Sequence, residues 1–163
     1  MICLSKQIQT LRQWAQAHNI TIEIRKNHSD FFYVSKKKNK YIKKITVQKR
    51  NSPDKHLELF YLLHEIGHLI TFENREKWMS ENLRYTIDFT INEEVEGEKD
   101  WYLVSTVTEE HDAWRNGKLL ARQLKLELDE KAYDAEWLEA IKDYIMYAAT
   151  KMQKYMTTVK HYV

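Results

Sequence analysis

Glycine and proline are scarce: three glycines and one proline in 163 residues. So little punctuation leaves no room for a flexible linker. No repeat or low-complexity tract is present beyond the Lys36–Lys38 run. A single cysteine, Cys3, excludes an internal disulfide and suits a reducing compartment. It reads as a small apolar residue near the chain start. No segment approaches the roughly 18 uninterrupted apolar residues of a membrane span. The opening stretch reaches Lys6, Gln7 and Gln9 before any apolar run develops, so no secretory leader is expected. A cytoplasmic location away from membranes is the expectation.

Hydrophobic residues make up 43% of the chain and charged residues 31%, a globular balance. The length corresponds to a single domain spanning residues 1–163. The net charge of +2 hides a strong asymmetry: residues 1–50 carry 12 Lys and Arg against 2 Asp and Glu, and residues 51–100 carry 5 against 12. Such a split hints at a polyanionic partner. The plainer reading, preferred here, is a lysine-studded edge strand that resists aggregation.

An apolar stripe at Ile8, Leu11, Trp14 and Ala15 predicts a first helix over about 5–18. Thr21 to Arg25 alternates as a half-buried strand does, and Phe31–Val34 and Ile45–Val47 read as two more strands, with a turn near Lys36–Asn39. Residues 1–50 are thus a helix followed by a small antiparallel sheet with one basic face. Ser52, Pro53 and Asp54 form a helix start, with serine able to cap and proline suited to the first turn. That helix should run through 52–72. In the acidic insert 73–104, alternation at Tyr85, Ile87, Phe89 and Ile91 suggests a strand, and Glu93–Asp100 reads as a loop. Helices over about Ser105–Lys125 and Asp129–Tyr155 fill the 105–163 remainder. The fold class is α+β, a small sheet against one central helix and two or three others.

Within that central helix lies His64-Glu65-Ile66-Gly67-His68, an H-E-x-x-H pattern. Residues four apart stand one above the other on a helix, so both imidazoles can reach one ion. Glu65 is rotated by about 100°, beside the ion rather than on it, where it can take a proton from a zinc-bound water. Gly67 removes a side chain where a neighbouring backbone can approach. Apolar residues bracket the motif, and burying two histidines and a glutamate without partners is costly. The bland alternative is a pair of hydrogen-bonded core histidines.

A catalytic zinc takes three protein ligands and keeps one position open. Asn74 stands where a metzincin would need histidine. Glu110 shares the inward face of the next helix with Ala113, Trp114 and Gly117, which makes it the leading third ligand. Glu109, His111, Asp112, Asp88, Glu93 and Glu94 stay open. Tyr85, Tyr102, His56 and His111 are candidates to stabilise an oxyanion.

The motif helix together with Glu110-x-x-Ala113-Trp114 resembles the ImmA/IrrE family of small gluzincin-type metallopeptidases, over roughly residues 5–125. The resemblance implies a minigluzincin-like helix–sheet–HExxH-helix core. It implies Zn²⁺ held by His64, His68 and Glu110, with Glu65 as general base and then proton donor. It further implies hydrolysis of intracellular protein targets, often repressors or regulators, and an occurrence in phages and mobile elements. Two alternatives stand beside it. One is a SprT-like protease directed by nucleic acid, with His111 as third ligand and the basic 25–50 segment, including Phe31, Phe32, Tyr33 and Tyr41, contacting the strand. The other is a non-catalytic metal-binding protein of the same fold, which has no use for Glu65. The aromatics Trp137, Tyr144, Tyr147 and Tyr155 on the last helix read as core packing, with a dimer or partner face as the lesser alternative.

Overall fold

Each apolar stripe in the first half of the chain becomes one side of a buried element. A computed structural model describes residues 3–27, 29–37, 40–51, 54–74 and 99–159, with side chains described except at 36, 37, 40, 99–105 and 151–159. Helix α1 (Leu4–Ala17) turns Gln7, Ile8, Leu11 and Ala15 inward. It ends where Asn19 adopts φ 58, a left-handed residue that frees the chain to turn into strand β1 (Ile20–Arg25). Strands β2 (Phe31–Lys37) and β3 (Lys40–Gln48) follow.

The sheet order is β1-β3-β2. β2 pairs antiparallel with β3, with Phe32 opposite Ile45 and Tyr33 opposite Lys44. β1 pairs parallel with β3, with Ile22 opposite Ile45 and Ile24 opposite Val47. The α+β class stands as read, but the sheet is mixed rather than wholly antiparallel. The physical reason is that β3, whose Ile45 and Val47 are fully buried, takes the central place. The chain then steps from one edge strand to the other before filling the gap.

Helix α2 (His56–Glu73) packs on β2, β3 and α1. Leu59, Phe60, Leu62, Leu63, Ile66 and Leu69 are all at most 3% exposed, each worth about 1.5–3 kcal/mol of burial. Two side chains fix its entry. Arg50, just past β3, donates its backbone N–H to Glu58 Oε1 (2.7 Å) and a guanidinium N–H to Asp30 Oδ2 (2.7 Å). Asp30 Oδ1 accepts the Gln48 N–H at 2.6 Å. At the far end Lys43 pairs with Glu73. The expected start at Ser52 and Pro53 lies outside the described residues, as does the Tyr85–Ile91 strand; of the expected Lys36–Asn39 turn, Lys36 and Lys37 instead extend β2, and Lys38 and Asn39 lie outside the described residues.

Helix α3 (Lys99–Gln123) begins earlier than its sequence pattern suggested, taking in Lys99 and Asp100 from the acidic stretch. It closes with Lys125 at φ 55 and the Leu126 N–H on the Ala121 carbonyl (2.9 Å), a Schellman stop. Helix α4 (Glu130–Val159) is 30 residues long. Two compact units emerge: residues 1–73 with 112–129, and residues 74–111 with 130–163. In the first, α1, the sheet, α2 and the latter part of α3 share one core. In the second, Tyr133 is fully buried, and burial pushes its hydroxyl pKa up.

Candidate metal centre

Polar side chains in the middle of α2 are buried as deeply as the apolar ones: His64 is 7% exposed, Glu65 5% and His68 6%. An α-helix that faces a core all round has no solvent side on which to place such groups, so each must be engaged. His64 and His68 are four residues apart and their ring centroids are 4.5 Å apart. Each ring lies flat against an aromatic from a different element. Trp114 of α3 stacks on His64 at 4.5 Å and 17°, and Phe32 of β2 stacks on His68 at 5.0 Å and 17°. Tyr61 meets His64 and Trp114 edge-on, with the Arg50 guanidinium 4.5 Å above its own ring. The imidazoles are therefore held in orientation by packing.

Gly67 explains how α3 comes near enough to contribute. A Cβ at that position would overlap the Ala113 carbonyl oxygen and lie 2.7 Å from its carbon. No side chain fits there, and the two helix backbones touch. The close approach expected from Gly67 is thus present. One turn further along, Asn116 Nδ2 donates to Thr71 Oγ1 at 3.1 Å, and Thr71 Oγ1 donates to the Gly67 carbonyl at 3.1 Å. These contacts fix the register of α3 along α2.

Glu110 lies one turn before Ala113 on the same continuous helix. One ligand atom each from His64, His68 and Glu110 fall within 4.8 Å of one another, close enough to hold a metal ion. Among the described residues this is the one such group of three His, Cys, Asp or Glu side chains. The donor set fits a divalent ion: two imidazole nitrogens and a carboxylate, with no fourth protein donor among them. Glu65 Oε1 is 3.7 Å from His64 Nδ1, beside the cluster and not part of it.

The other candidates fall elsewhere. Glu109 is buried but outside the group, Asp112 faces Arg115 at 3.6 Å, and exposed His111 sits 5.0 Å from the Trp137 ring. His56 is exposed, edge-on to Phe60. Asp88, Glu93, Glu94 and Tyr85 lie outside the described residues, as does the Tyr102 side chain. Phe32, Asn116 and Glu58 support the site without having been singled out for it, whereas Trp114 belongs to the segment read with Glu110. Phe32 could have been found from strand alternation, which puts it on the face of Ile45. Nothing in the sequence pairs it with His68.

No described helix is long and apolar enough to cross a membrane. Comparison of the chain with family models, curated proteins and solved structures finds no match.

Proposed function

We propose that this chain is a zinc-dependent peptidase of the gluzincin type. One observation carries the reading: three donors converge from α2 and α3, and a fourth polar side chain, Glu65, is buried next to them without joining them. A structural zinc site closes its coordination with protein ligands, whereas a catalytic one keeps a position open and a base at hand. His64, His68 and Glu110 would hold the ion. When bound, zinc supplies Lewis acidity, lowering the pKa of a water to about 7 and polarising a carbonyl.

The chain's own part in hydrolysis falls to Glu65. It accepts a proton from the attacking water as hydroxyl adds to the peptide carbonyl carbon. It then delivers that proton to the amide nitrogen as the C–N bond breaks, so water is added across the bond and Glu65 returns to its starting state. The stacked Trp114 and Phe32 keep both histidine rings facing the site, which limits reorganisation. The resemblance to ImmA/IrrE peptidases extends the proposal to an intracellular protein target, such as a repressor or other regulator.

A nucleic-acid-directed protease draws less support. In the basic segment Arg25 and Lys44 pair with Glu23, Lys43 with Glu73 and Arg50 with Asp30, so four of its charges are already answered within the chain. A non-catalytic metal protein leaves the burial of Glu65 without purpose.

The test compares wild type, Glu65→Gln and His68→Ala for bound metal and for hydrolysis of labelled casein and of peptide libraries. Glu65→Gln should keep the wild-type metal content and lose hydrolysis by about 100-fold or more. His68→Ala should lose both. Equal hydrolysis by Glu65→Gln and wild type, or wild-type protein that takes up no zinc, would reject the proposal.

A further inference from the structure

The sheet has two edges of different character. β2, whose Phe32 lies on His68, borders the metal centre and carries Lys36 and Lys37. β1, at the opposite edge, has neither proline nor lysine, and its register with β3 runs unbroken from Ile20 to Arg25. Proline, lysine and bulges are the usual means of keeping other chains off an edge strand. β1 uses none of them.

Its backbone is turned outward at known positions. Lys49 donates its N–H to the Arg25 carbonyl at 2.7 Å, so Arg25 faces β3. In a parallel ladder, residues facing the partner strand alternate with residues facing away, so Thr21 and Glu23 face β3 as well. The N–H and C=O groups of Ile22 and Ile24 then point off the free edge, roughly 6.6 Å apart along the strand. They meet no hydrogen-bond partner among the described residues. Beside them opens a groove of about 430 Å³, walled by Arg12 and Gln16 of α1 and by Ile20, Ile22 and Ile24. Ile22 and Ile24 are only half-buried, and the exposed Arg12 guanidinium makes no ion pair or hydrogen bond among the described residues.

We propose that this edge is a β-augmentation site for an extended, acidic segment of a partner protein, which adds as a fourth strand antiparallel to β1. The outward backbone groups supply a strand-shaped set of donors and acceptors. Strand alternation puts every second side chain of the guest over the groove, where apolar residues cover Ile22 and Ile24 and an acidic one reaches Arg12. The charge around the edge selects a foreign acidic segment over a second copy of β1. Arg12, Arg25 and Lys26 outnumber Glu23, whose carboxylate is already shared by Arg25 and Lys44. Two copies would bring both basic sets to one seam with no further carboxylate to answer them. The site lies at the edge opposite Phe32, and its occupation is independent of the peptidase reading.

The probe is a fluorescein-labelled peptide of eight residues, in which threonine alternates with valine and glutamate in turn, followed by fluorescence anisotropy on the full chain. It should bind saturably, and a twin with lysine in place of glutamate should bind about tenfold more weakly or worse. Arg12→Glu should invert that preference, and Ile24→Pro should abolish binding of either peptide. The proline removes an N–H that points off the sheet, so the ladder to β3 and the circular dichroism should be retained. If Ile24→Pro nevertheless unfolds, Arg12→Glu, at an exposed helical position, still decides. Glu65→Gln should bind the peptide as wild type does, which keeps a failure here distinct from a failure of the peptidase reading. No binding by wild type, equal binding of the two peptides, an unaltered preference in Arg12→Glu, or wild-type binding by folded Ile24→Pro would each overturn the proposal. So would a wild-type dimer that Ile24→Pro converts to monomer, which would make a second copy the occupant.

Discussion

Helices α2 and α4 invert each other's rule. α2 buries Glu58, His64, Glu65, His68 and Thr71, while α4 leaves Leu138, Ile145, Met146 and Tyr147 at least half exposed. A buried polar group costs free energy unless it is engaged, and an exposed apolar patch forgoes what burial would contribute. In α2 two of these groups, His64 and His68, converge with Glu110 of α3, while Glu58 and Thr71 are engaged by Arg50 and Asn116. In α4 the exposed apolar groups include three consecutive residues, Ile145, Met146 and Tyr147, which point about 100° apart around the helix.

Several substitutions probe that contrast. The largest expected effect is Gly67→Ala. Alanine is about 1 kcal/mol better than glycine within a helix, yet here its methyl meets the Ala113 backbone. A net loss of about 3 kcal/mol is expected, read as a lower denaturant midpoint together with weaker zinc uptake, because α3 must move away. If Gly67→Ala were stabilising, the tight crossing would be disproved. Next comes Glu58→Ala, which strands the Arg50 N–H and loosens the entry to α2. A loss of about 1–3 kcal/mol is expected, with zinc affinity little changed.

On α4, by contrast, Met146 is exposed, and Met146→Lys should change stability by less than about 0.5 kcal/mol in chemical denaturation. A large loss there would show that this side of the helix is covered in the folded chain. The smallest effect concerns the exposed pair of Lys142 and Glu139, 3.0 Å apart. The Glu139 carboxylate accepts a hydrogen bond from Lys142 and holds its pKa above the ordinary lysine value. A raised lysine pKa stabilises the fold below the unfolded value and ceases to do so as pH rises through the folded one. Lys142→Met should therefore lower the melting temperature slightly at pH 8, and the difference should vanish at strongly alkaline pH.

Local pattern carried much of the fold. The stripe from Ile8 to Ala15, the alternation in β1 to β3 and the helical run around the motif all appear at or within a few residues of where periodicity put them. These signals are read over a few residues, and burial of one face enforces them. The parallel pairing of β1 with β3 was not legible, because alternation marks which face is buried and is silent on which strand lies alongside. For the site, H-E-x-x-H specifies its own two histidines through helical spacing, and Gly67 announces a close neighbour without naming it. That the neighbour is Ala113, with Glu110 one turn away, rests on a separation of more than 40 residues in sequence.

The sequence by itself determined the chemistry available on each element, since residue type and helical or strand period suffice to place side chains on a face. Only the tertiary structure decided which faces meet: Phe32 on His68, Trp114 on His64, and the α3 backbone against Gly67. Packing between distant segments depends on the complementarity of whole surfaces, and no local pattern encodes it.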